Sequence, residues 1–237
     1  MDVCLSAVDQ GLPVNAHRLA DDDEGGVVEL GLRRLEVDPV DANLGSAAGR
    51  EPTPAAPSRV LVYGVPGSGK STAARAFPGA TGLPEFSADD DIGWLPGWQQ
   101  RTVEEQRSIA ASIAAQDRWV LDSAYGAWRD VVLPRAELIV GLDYPRWLSL
   151  ARLVRRTLRR ALTREPVCNG NEETIDRIFI QDSILRWHFR SFTRKRQVMR
   201  GLEADPGMPA TILFRHPREL DVWLAQLTAK AARAESP

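Results

Sequence analysis

Lysine is scarce among the charged residues of this sequence. Only three of its 30 basic residues are lysines, namely Lys70, Lys195 and Lys230. Because arginine is abundant along most of the chain, an arginine count alone is a weak sign of a binding site. A single lysine inside a glycine-rich segment stands out against this background, which makes Lys70 a candidate functional residue.

Cysteine and long apolar runs are also scarce. The two cysteines, Cys4 and Cys168, have neither metal-ligand spacing nor the number that a disulfide framework needs, so both are expected to be free thiols. No run approaches the roughly 18 apolar residues that a membrane span requires. Met1 and Asp2 do not begin a signal-peptide pattern. The sequence therefore predicts a cytoplasmic protein without a membrane partner.

Acidic charge is concentrated at the beginning of the chain. Residues 1–57 hold 11 acidic and 4 basic side chains, a net charge of −7, and since the whole chain carries −2, the remainder carries +5. The segment contains the acidic run 21–24 and the proline-rich stretch 51–57, with few large apolar residues to offset the entropy lost on ordering. We expect residues 1–57 to be a disordered extension and residues 58–237 to form one domain.

From Ser58 onwards, short apolar strands alternate with helices. Strands are predicted over 59–63, 84–88, 118–122, 138–142 and 210–214. Helices are predicted over 70–77, 101–116, 145–162, 172–200 and 217–234; Pro78 and Gly79 are expected to end the first, and the fourth is one long helix or a broken pair. Such alternation produces βαβ crossovers. We therefore predict a three-layer α/β fold with about five parallel strands and helices on both faces.

The segment Gly64–Ser71 fits the phosphate-loop pattern G-x-x-x-x-G-K-S between a predicted strand and a predicted helix. Glycines let the main chain approach phosphate closely, and the helix N-terminus directs N–H donors at the anion. Lys70 is expected to reach the β- and γ-phosphates, and the Ser71 hydroxyl to bind Mg²⁺. The predicted nucleotide-binding residues are Gly64, Pro66, Gly67, Ser68, Gly69, Lys70, Ser71 and Thr72. The sequence thus predicts binding of a nucleoside triphosphate, expected to be ATP, with Mg²⁺.

Aspartates follow two predicted strands, at the sheet edge where open α/β folds bind ligands. Asp122 ends an apolar strand and is the candidate carboxylate for Mg²⁺. Asp89, Asp90 and Asp91 follow the second strand, where a carboxylate could orient an acceptor hydroxyl or act as its base. Asp90 is the predicted catalytic residue of this group, although helix capping or a solvated turn also explains aspartates here. Asp143 is expected to cap the helix that follows it.

Seven arginines are concentrated in one segment. They are Arg146, Arg152, Arg155, Arg156, Arg159, Arg160 and Arg164. In a phosphoryl-transfer enzyme, such arginines close over the triphosphate and neutralise charge on the transferred group. We therefore predict a lid over about 152–172 in which Arg155, Arg156 and Arg159 are catalytic. The alternatives are a solvated helix face and a nucleic-acid surface that also uses the basic residues of 186–200.

The tryptophans and histidines fit structural roles. Trp94 and Trp98 flank a Pro-Gly pair, and a tight turn held by two buried indoles is favoured over stacking on an acceptor. Four others lie in predicted regular elements and are expected in the core: Trp119, Trp147, Trp187 and Trp223. His188 is expected to pack and His216 to cap or pack. Neither shows a serine or cysteine partner that would suggest nucleophilic catalysis.

From about Arg59 to Arg200, the chain resembles the bacterial topology modulation proteins, a branch of the adenylate-kinase-like P-loop proteins. The matching segments are 64–71, 83–98, 119–125, 142–146, 155–160, 169–172 and 182–187. The resemblance implies a P-loop fold of the nucleoside-monophosphate-kinase type, ATP binding, a mobile lid and an influence on DNA topology. Where many members have Asp-Gly-Asn-Tyr, this chain has Asp-Ser-Ala-Tyr at 122–125, so any role of that asparagine in placing an acceptor has no counterpart here.

Two functional hypotheses follow. The first is a small-molecule kinase that moves the γ-phosphate of ATP to a hydroxyl or phosphate of a nucleotide-like or nucleoside-like acceptor, which the sequence does not name. The second is a nucleotide-gated regulatory protein that binds DNA through its basic helices with little turnover. A stand-alone ATPase has less support, because no glutamine or glutamate is evident to position water. The sequence does not specify an oligomeric state.

Overall fold

A computed structural model describes residues 57–163, 166–172 and 184–234. The strands are β1 (Arg59–Gly64), β2 (Glu85–Phe86), β3 (Trp94–Leu95), β4 (Gln99–Gln100), β5 (Trp119–Leu121), β6 (Leu138–Leu142), β7 (Pro166–Val167), β8 (Asn171–Glu172) and β9 (Ala210–Phe214). The helices are α1 (Lys70–Thr81), α2 (Val103–Ala114), α3 (Arg129–Val132), α4 (Arg146–Thr163), α5 (Ile184–Ala204) and α6 (Pro217–Ala234). A π-helical turn covers Ala88–Gly93, and a 3₁₀ turn covers Leu133–Arg135.

The central sheet has five parallel strands in the order β2-β5-β1-β6-β9. In register, Val60 of β1 lies between Val120 of β5 and Leu138 of β6. Parallel neighbours require crossover connections, which the helices supply. The carboxyl ends of all five strands therefore lie along one edge, where ligands bind in open α/β sheets. The fold is a three-layer α/β fold with a five-stranded parallel sheet and helices on both faces, as the sequence predicts.

The sheet separates two apolar layers. Successive side chains of β1 point to opposite faces, as strand geometry requires. Val60 and Val62 pack with residues of α1 and α6 on one face. Leu61 and Tyr63 pack with residues of α2, α3 and α5 on the other. Because both faces are covered, the strands are continuously apolar, which is why the sequence shows them as uninterrupted runs.

The strands over 59–63, 118–122, 138–142 and 210–214 are confirmed to within one residue at each end. The second predicted strand, 84–88, is too long, because β2 contains two residues and a π-helical turn soon follows. Ser87 separates them: its hydroxyl oxygen accepts from the N–H of Asp90 at 3.1 Å, and its own N–H donates to the Asp91 carboxylate at 2.6 Å. Local bonds of this kind compete with the pairing of a strand.

Helix α1 extends beyond its predicted end. It continues to Thr81 with Pro78 inside it, so the expectation that Pro78 and Gly79 terminate the helix is wrong. Proline removes a donor, but its carbonyl still accepts, here from the N–H of Gly82 at 2.8 Å. Gly82, with φ of +65°, adopts the left-handed conformation that commonly ends helices.

Asp143 joins β6 to α5 instead of capping α4, so that expectation is also wrong. Its side chain is 1% exposed, and its two carboxylate oxygens accept hydrogen bonds from Arg196 and Arg200. A buried carboxylate requires paired charges and hydrogen bonds, and both arginines belong to α5. A contact across more than 50 residues leaves no local sequence pattern.

The four tryptophans predicted in the core differ in burial. Trp119 is fully buried, Trp223 packs against the core, and Trp187 is half-buried. Trp147 is 69% exposed, so its assignment to the core is wrong. The reason is the orientation of α4: Ser149, on its polar face, is buried, whereas its apolar face is directed outward.

Several predictions fall wholly or partly outside the described residues. They concern residues 1–56 of the expected disordered extension, and residues 164–165 and 173–183 of the predicted lid and fourth helix. None of the helices in the described ranges is long and apolar enough to cross a bilayer. Cys4 also lies outside the described residues, so the expectation about the two cysteines stays a prediction.

Candidate nucleotide-binding site

The loop between β1 and α1 turns tightly around the N-terminus of α1. Gly67 and Gly69 have φ of +76° and +94°, a region that glycine enters without the penalty of a Cβ atom. The N–H of Ser68 donates to the carbonyl of Val65 at 3.1 Å, which closes the turn. The first N–H groups of α1 have no acceptor within the helix. The loop and helix start therefore supply donors suited to a polyphosphate.

Gly67 is also the point at which α4 contacts the loop. A Cβ atom placed on Gly67 would lie 2.3 Å from the carbonyl oxygen of Ser149 and 2.8 Å from Cβ of Leu153. Both distances are far below van der Waals contact, and the nearer atom is backbone that cannot rotate away. The loop shape thus depends on glycine for two reasons, backbone conformation and close packing of α4.

Replacing Gly67 with alanine should disrupt this site. We expect the Gly67→Ala protein to bind Mg-ATP at least about tenfold more weakly and to lose about 1–3 kcal/mol of unfolding free energy, because φ of +76° and the contact with Ser149 are both incompatible with a side chain. Calorimetry and urea unfolding measure the two effects. The control is Gly79→Ala in α1, where nothing lies within 4 Å and helix propensity should add about 0.5–1 kcal/mol. Equal nucleotide affinity in both variants would contradict the role of Gly67.

The other predicted nucleotide-binding residues lie in the same loop and the first turn of α1. A Cβ atom on Gly64 would lie 2.6 Å from Oγ of Ser68, which can rotate, and 3.2 Å from Cβ of Leu142. Pro66 and Ser68 are buried, whereas Thr72 is exposed. The structure brings the predicted residues together, and their contact with a nucleotide remains a prediction.

Lys70 is buried within the loop. It is 2% exposed, and its Nζ donates to the carbonyl of Val65 at 3.3 Å. Burial of an ammonium group is costly unless an anion or several hydrogen-bond acceptors compensate it. The side chain folds back along the loop that it shares with the glycines.

Ser71 and Asp122 meet beside this loop, although 51 residues separate them. Oγ of Ser71 donates to Oδ2 of Asp122 at 2.6 Å, and the N–H of Ala88 donates to Oδ1 at 2.7 Å. Asp122 is 3% exposed, so these contacts orient both of its oxygens. The parallel sheet explains the meeting, because β1 leads into α1 next to the carboxyl end of β5.

The three consecutive aspartates have different partners. Asp89 is 2% exposed and accepts a hydrogen bond from the Tyr125 hydroxyl. Oδ1 of Asp90 accepts from the N–H of Asn169 at 3.0 Å. Asp91 accepts from the N–H of Ser87, as described above. All three aspartates follow the carboxyl end of β2, and Asp91 holds the local turn.

The aspartates at this edge of the sheet disfavour ionisation of the neighbouring carboxyl group of Glu85. Burial raises the pKa of Glu85 in β2, and Asp122, Asp91 and Asp90 raise it further against the opposing effect of Arg75. The concentration of negative charge at this edge is the kind of environment that a cation would stabilise.

Arg152 of α4 contacts the phosphate loop. Its Nη1 donates to the carbonyl of Ser68 at 3.3 Å, and its guanidinium lies 5.6 Å from the ring centroid of Tyr144. Burial raises the pKa of the Tyr144 hydroxyl to about 12, and the charge of Arg152 opposes that shift. Arg152 was not among the predicted catalytic arginines, because the neighbouring arginines share its helical spacing.

The predicted catalytic arginines lie on different faces of α4. Arg156, one turn after Arg152, is half-buried. Arg159 is exposed. Arg155 instead lines an outward apolar groove of about 620 Å³ with Trp147 and other residues of α4. Of the three, Arg156 lies nearest in helical position to the face that contacts the loop.

Behind the loop, α4 and α5 share a buried polar contact. Oγ of Ser149 lies 2.9 Å from Nε2 of His188, and both side chains are 0% exposed. The packing role predicted for His188 is confirmed, but the expectation that it lacks a serine partner is wrong. Because the pair is closed to solvent, it supports the helix that contacts Gly67 and does not form a nucleophilic site.

Several basic residues proposed for nucleic acid instead hold the fold together. Arg146 lies 4.5 Å from the ring centroid of Phe192 and donates to Thr193 at 3.2 Å. Arg196 and Arg200 pair with the buried Asp143. These contacts account for residues on both basic helices without a polyanion, so the structure gives the DNA-binding hypothesis no specific support.

No family profile and no curated protein sequence matches the chain. Similar solved structures include three kinases. A gluconokinase from Sinorhizobium meliloti 1021 is 19% identical over 75% of this chain and 93% of that chain, with a TM-score of 0.42. A shikimate kinase from Bacteroides thetaiotaomicron is 15% identical over 75% and 99%, with a TM-score of 0.45. A sugar kinase from Janibacter sp. HTCC2649 is 22% identical over 75% and 94%, with a TM-score of 0.40.

Proposed function

We propose that this protein is a small-molecule kinase that transfers the γ-phosphate of ATP to a hydroxyl or phosphate of a nucleotide-like or nucleoside-like acceptor. The observation that carries the proposal is the 2.6 Å contact between Ser71 and Asp122 beside a glycine-rich loop that contains the buried Lys70. Cation, hydroxyl and carboxylate are the three groups that phosphoryl transfer needs around a triphosphate. Gly64–Thr72 would hold the phosphates, with Lys70 at the β- and γ-positions.

The donor set fits Mg²⁺. Ser71 and Asp122 present hard oxygen atoms at a helix start, and Mg²⁺ is usually held by one or two such groups together with substrate phosphates. When bound, Mg²⁺ would offset the negative charge of the transferred phosphate.

Asp90 is the proposed base on the acceptor side. In the transfer, the acceptor hydroxyl gives its proton to the Asp90 carboxylate while its oxygen forms a bond to the γ-phosphorus. The bond from that phosphorus to the β–γ bridging oxygen breaks, and ADP leaves. Among the described residues, no hydrogen bond reaches Oδ2 of Asp90, whereas Oδ1 is held by Asn169. One carboxylate oxygen is thus oriented and the other can accept a proton.

The arginines of α4 are proposed to neutralise the transferred phosphate. Arg155, Arg156 and Arg159 were predicted for this role, and the half-buried Arg156 has the most favourable position of the three. Arg152 joins them in the proposal, because its guanidinium already contacts the loop at Ser68. A planar guanidinium gives paired donors to phosphate oxygens.

Membership of the topology modulation proteins is part of this proposal. It rests on the motifs of the sequence, several of which meet in the structure: Asp122 contacts the phosphate loop, and the segment 169–171 contacts Asp90 and Trp98. The regulatory, DNA-binding alternative has no comparable contact in its favour.

The test is nucleotide binding followed by an acceptor screen on the full chain. We expect titration of Mg-ATP to give a Kd below about 1 mM and to raise the thermal midpoint. The protein and Mg-ATP are then incubated with a panel of nucleosides, nucleotides and sugars, and at least one should raise ADP formation above the rate without acceptor. Absence of both heat and thermal protection with Mg-ATP and Mg-GTP would refute the proposed function.

A further inference from the structure

Backbone strain is concentrated where two hairpins meet. In the described part of the chain, three non-glycine residues have positive φ: Trp98 at 57°, Cys168 at 43° and Asn169 at 62°. All three lie at the contact between the β3–β4 hairpin and the β7–β8 hairpin. Such conformations are unfavourable for side-chain-bearing residues and persist where the surroundings hold them, often at functional sites.

Asn169 holds the turn that contains Asp90. Its backbone N–H donates to Oδ1 of Asp90 at 3.0 Å. Its side-chain amide donates to the carbonyl of Asp90 at 2.7 Å and to the carbonyl of Trp94 at 2.6 Å. One residue therefore fixes both the backbone and the carboxylate of Asp90.

Asn171 holds the neighbouring β3–β4 hairpin. It is 5% exposed, its Oδ1 accepts from the N–H of Trp98 at 2.7 Å, and its Nδ2 donates to the carbonyl of Leu95 at 3.1 Å. Next to these bonds, the indoles of Trp94 and Trp98 stand edge to face at 5.8 Å in a cluster with Val167. The buried amide and the apolar cluster give this contact one defined geometry.

The geometry points to Asn169 and Asn171 as positioning residues for the acceptor side of the site. Asn169 holds the turn Ala88–Gly93 from one side, and Asn171 fixes the β3–β4 hairpin that follows this turn. On the other side of the turn, the N–H of Ala88 donates to Asp122. Asp90 is thereby held at a set position relative to the carboxylate beside the phosphate loop. This inference rests on the proposed function, in which Asp90 orients the acceptor oxygen and takes its proton.

Water serves as the test acceptor, because the natural acceptor is not identified. In hydrolysis, water gives a proton to Asp90, its oxygen bonds to the γ-phosphorus, and ADP leaves as the β–γ bridging bond breaks, which yields inorganic phosphate. The variants are Asn169→Gly, which keeps the left-handed backbone but removes the amide, and Asn169→Asp, which also replaces a donor by an anion near Asp90. Gln99→Ala, at an exposed position of the same hairpin pair, is the matched control.

We expect Asn169→Asp to slow phosphate release at saturating Mg-ATP at least about tenfold and Asn169→Gly about threefold, because a displaced base loses its orientation to the nucleophile. The Kd of Mg-ATP should stay within about twofold in both, since the phosphate loop is untouched. A purely structural role would weaken nucleotide binding and turnover together. Unchanged or faster phosphate release in Asn169→Asp would overturn the positioning role. Faster release is the result expected if the Asn169 contact only excluded water from the site.

Amide hydrogen exchange of the full chain without nucleotide tests the clamp separately. In Asn171→Ala, the N–H of Trp98 loses its acceptor, so the peptide covering 94–101 should exchange at least about tenfold faster than in the parent, whereas Gln99→Ala should not change it. Parent-like exchange in Asn171→Ala would overturn the clamp. Because this measurement needs no ATP, it distinguishes a failed clamp from a failed kinase assignment.

Discussion

Replacing Lys70 with methionine should reduce kcat/KM for ATP by at least about 10²–10³, because one preorganised cation is removed from charge that grows in the transition state. Lys70 is 2% exposed, and methionine fills nearly the same volume. The fold should therefore persist while nucleotide affinity falls. ADP formation and calorimetric titration with Mg-ATP measure the two effects.

The matched control is Lys230→Met. Lys230 is exposed on α6, far along the chain from the loop, and its replacement should leave both measurements at parental values. A Lys70→Met protein that formed ADP at the parental rate would show that the loop is not where ATP reacts.

Asp122→Asn should have the second large effect. The replacement should lower activity with Mg²⁺ but should not weaken the binding of metal-free ATP. At limiting Mg²⁺, we expect ADP formation to fall about 10²-fold, because the carboxylate supplies the anionic oxygen that faces Ser71. Metal-free ATP should bind as tightly as in the parent or tighter, because a negative charge beside the phosphates is removed. Titrations with and without EDTA separate these outcomes.

Asp117→Asn provides the control. Asp117 is exposed and precedes β5, whereas Asp122 follows it. It should leave magnesium dependence unchanged. If Asp122→Asn weakened metal-free and magnesium-bound ATP equally, the residue would be supporting the fold of the loop and not a metal ion.

The phosphate loop could be read from the sequence because its chemistry is local. Eight consecutive residues contain the glycines, the lysine and the serine, and the strand before them and helix after them have their own periodic patterns. Asp122 could be selected because a parallel sheet brings the ends of its strands to one edge, so position at a strand end predicts position in space.

The predictions for α4 were less accurate, because the sequence does not show which face of this helix is directed inward. Arg152, Arg155 and Arg156 satisfy the same helical spacing, and only the packing of Ser149 against Gly67 shows which face is directed inward. The same packing explains why Trp147 is exposed despite its size. Likewise, Asp143 has the sequence context of a helix cap, but its carboxylate forms ion pairs with two arginines of α5.

The sequence by itself determined the parallel α/β fold, the phosphate loop and its serine–aspartate pair, because each depends on local periodicity or on the common edge of parallel strands. Only the tertiary structure decided which arginine contacts the loop and that Asn169 holds Asp90. Those contacts join segments 79 or more residues apart, and no pattern along a chain encodes which of several similar side chains a folded neighbour will face.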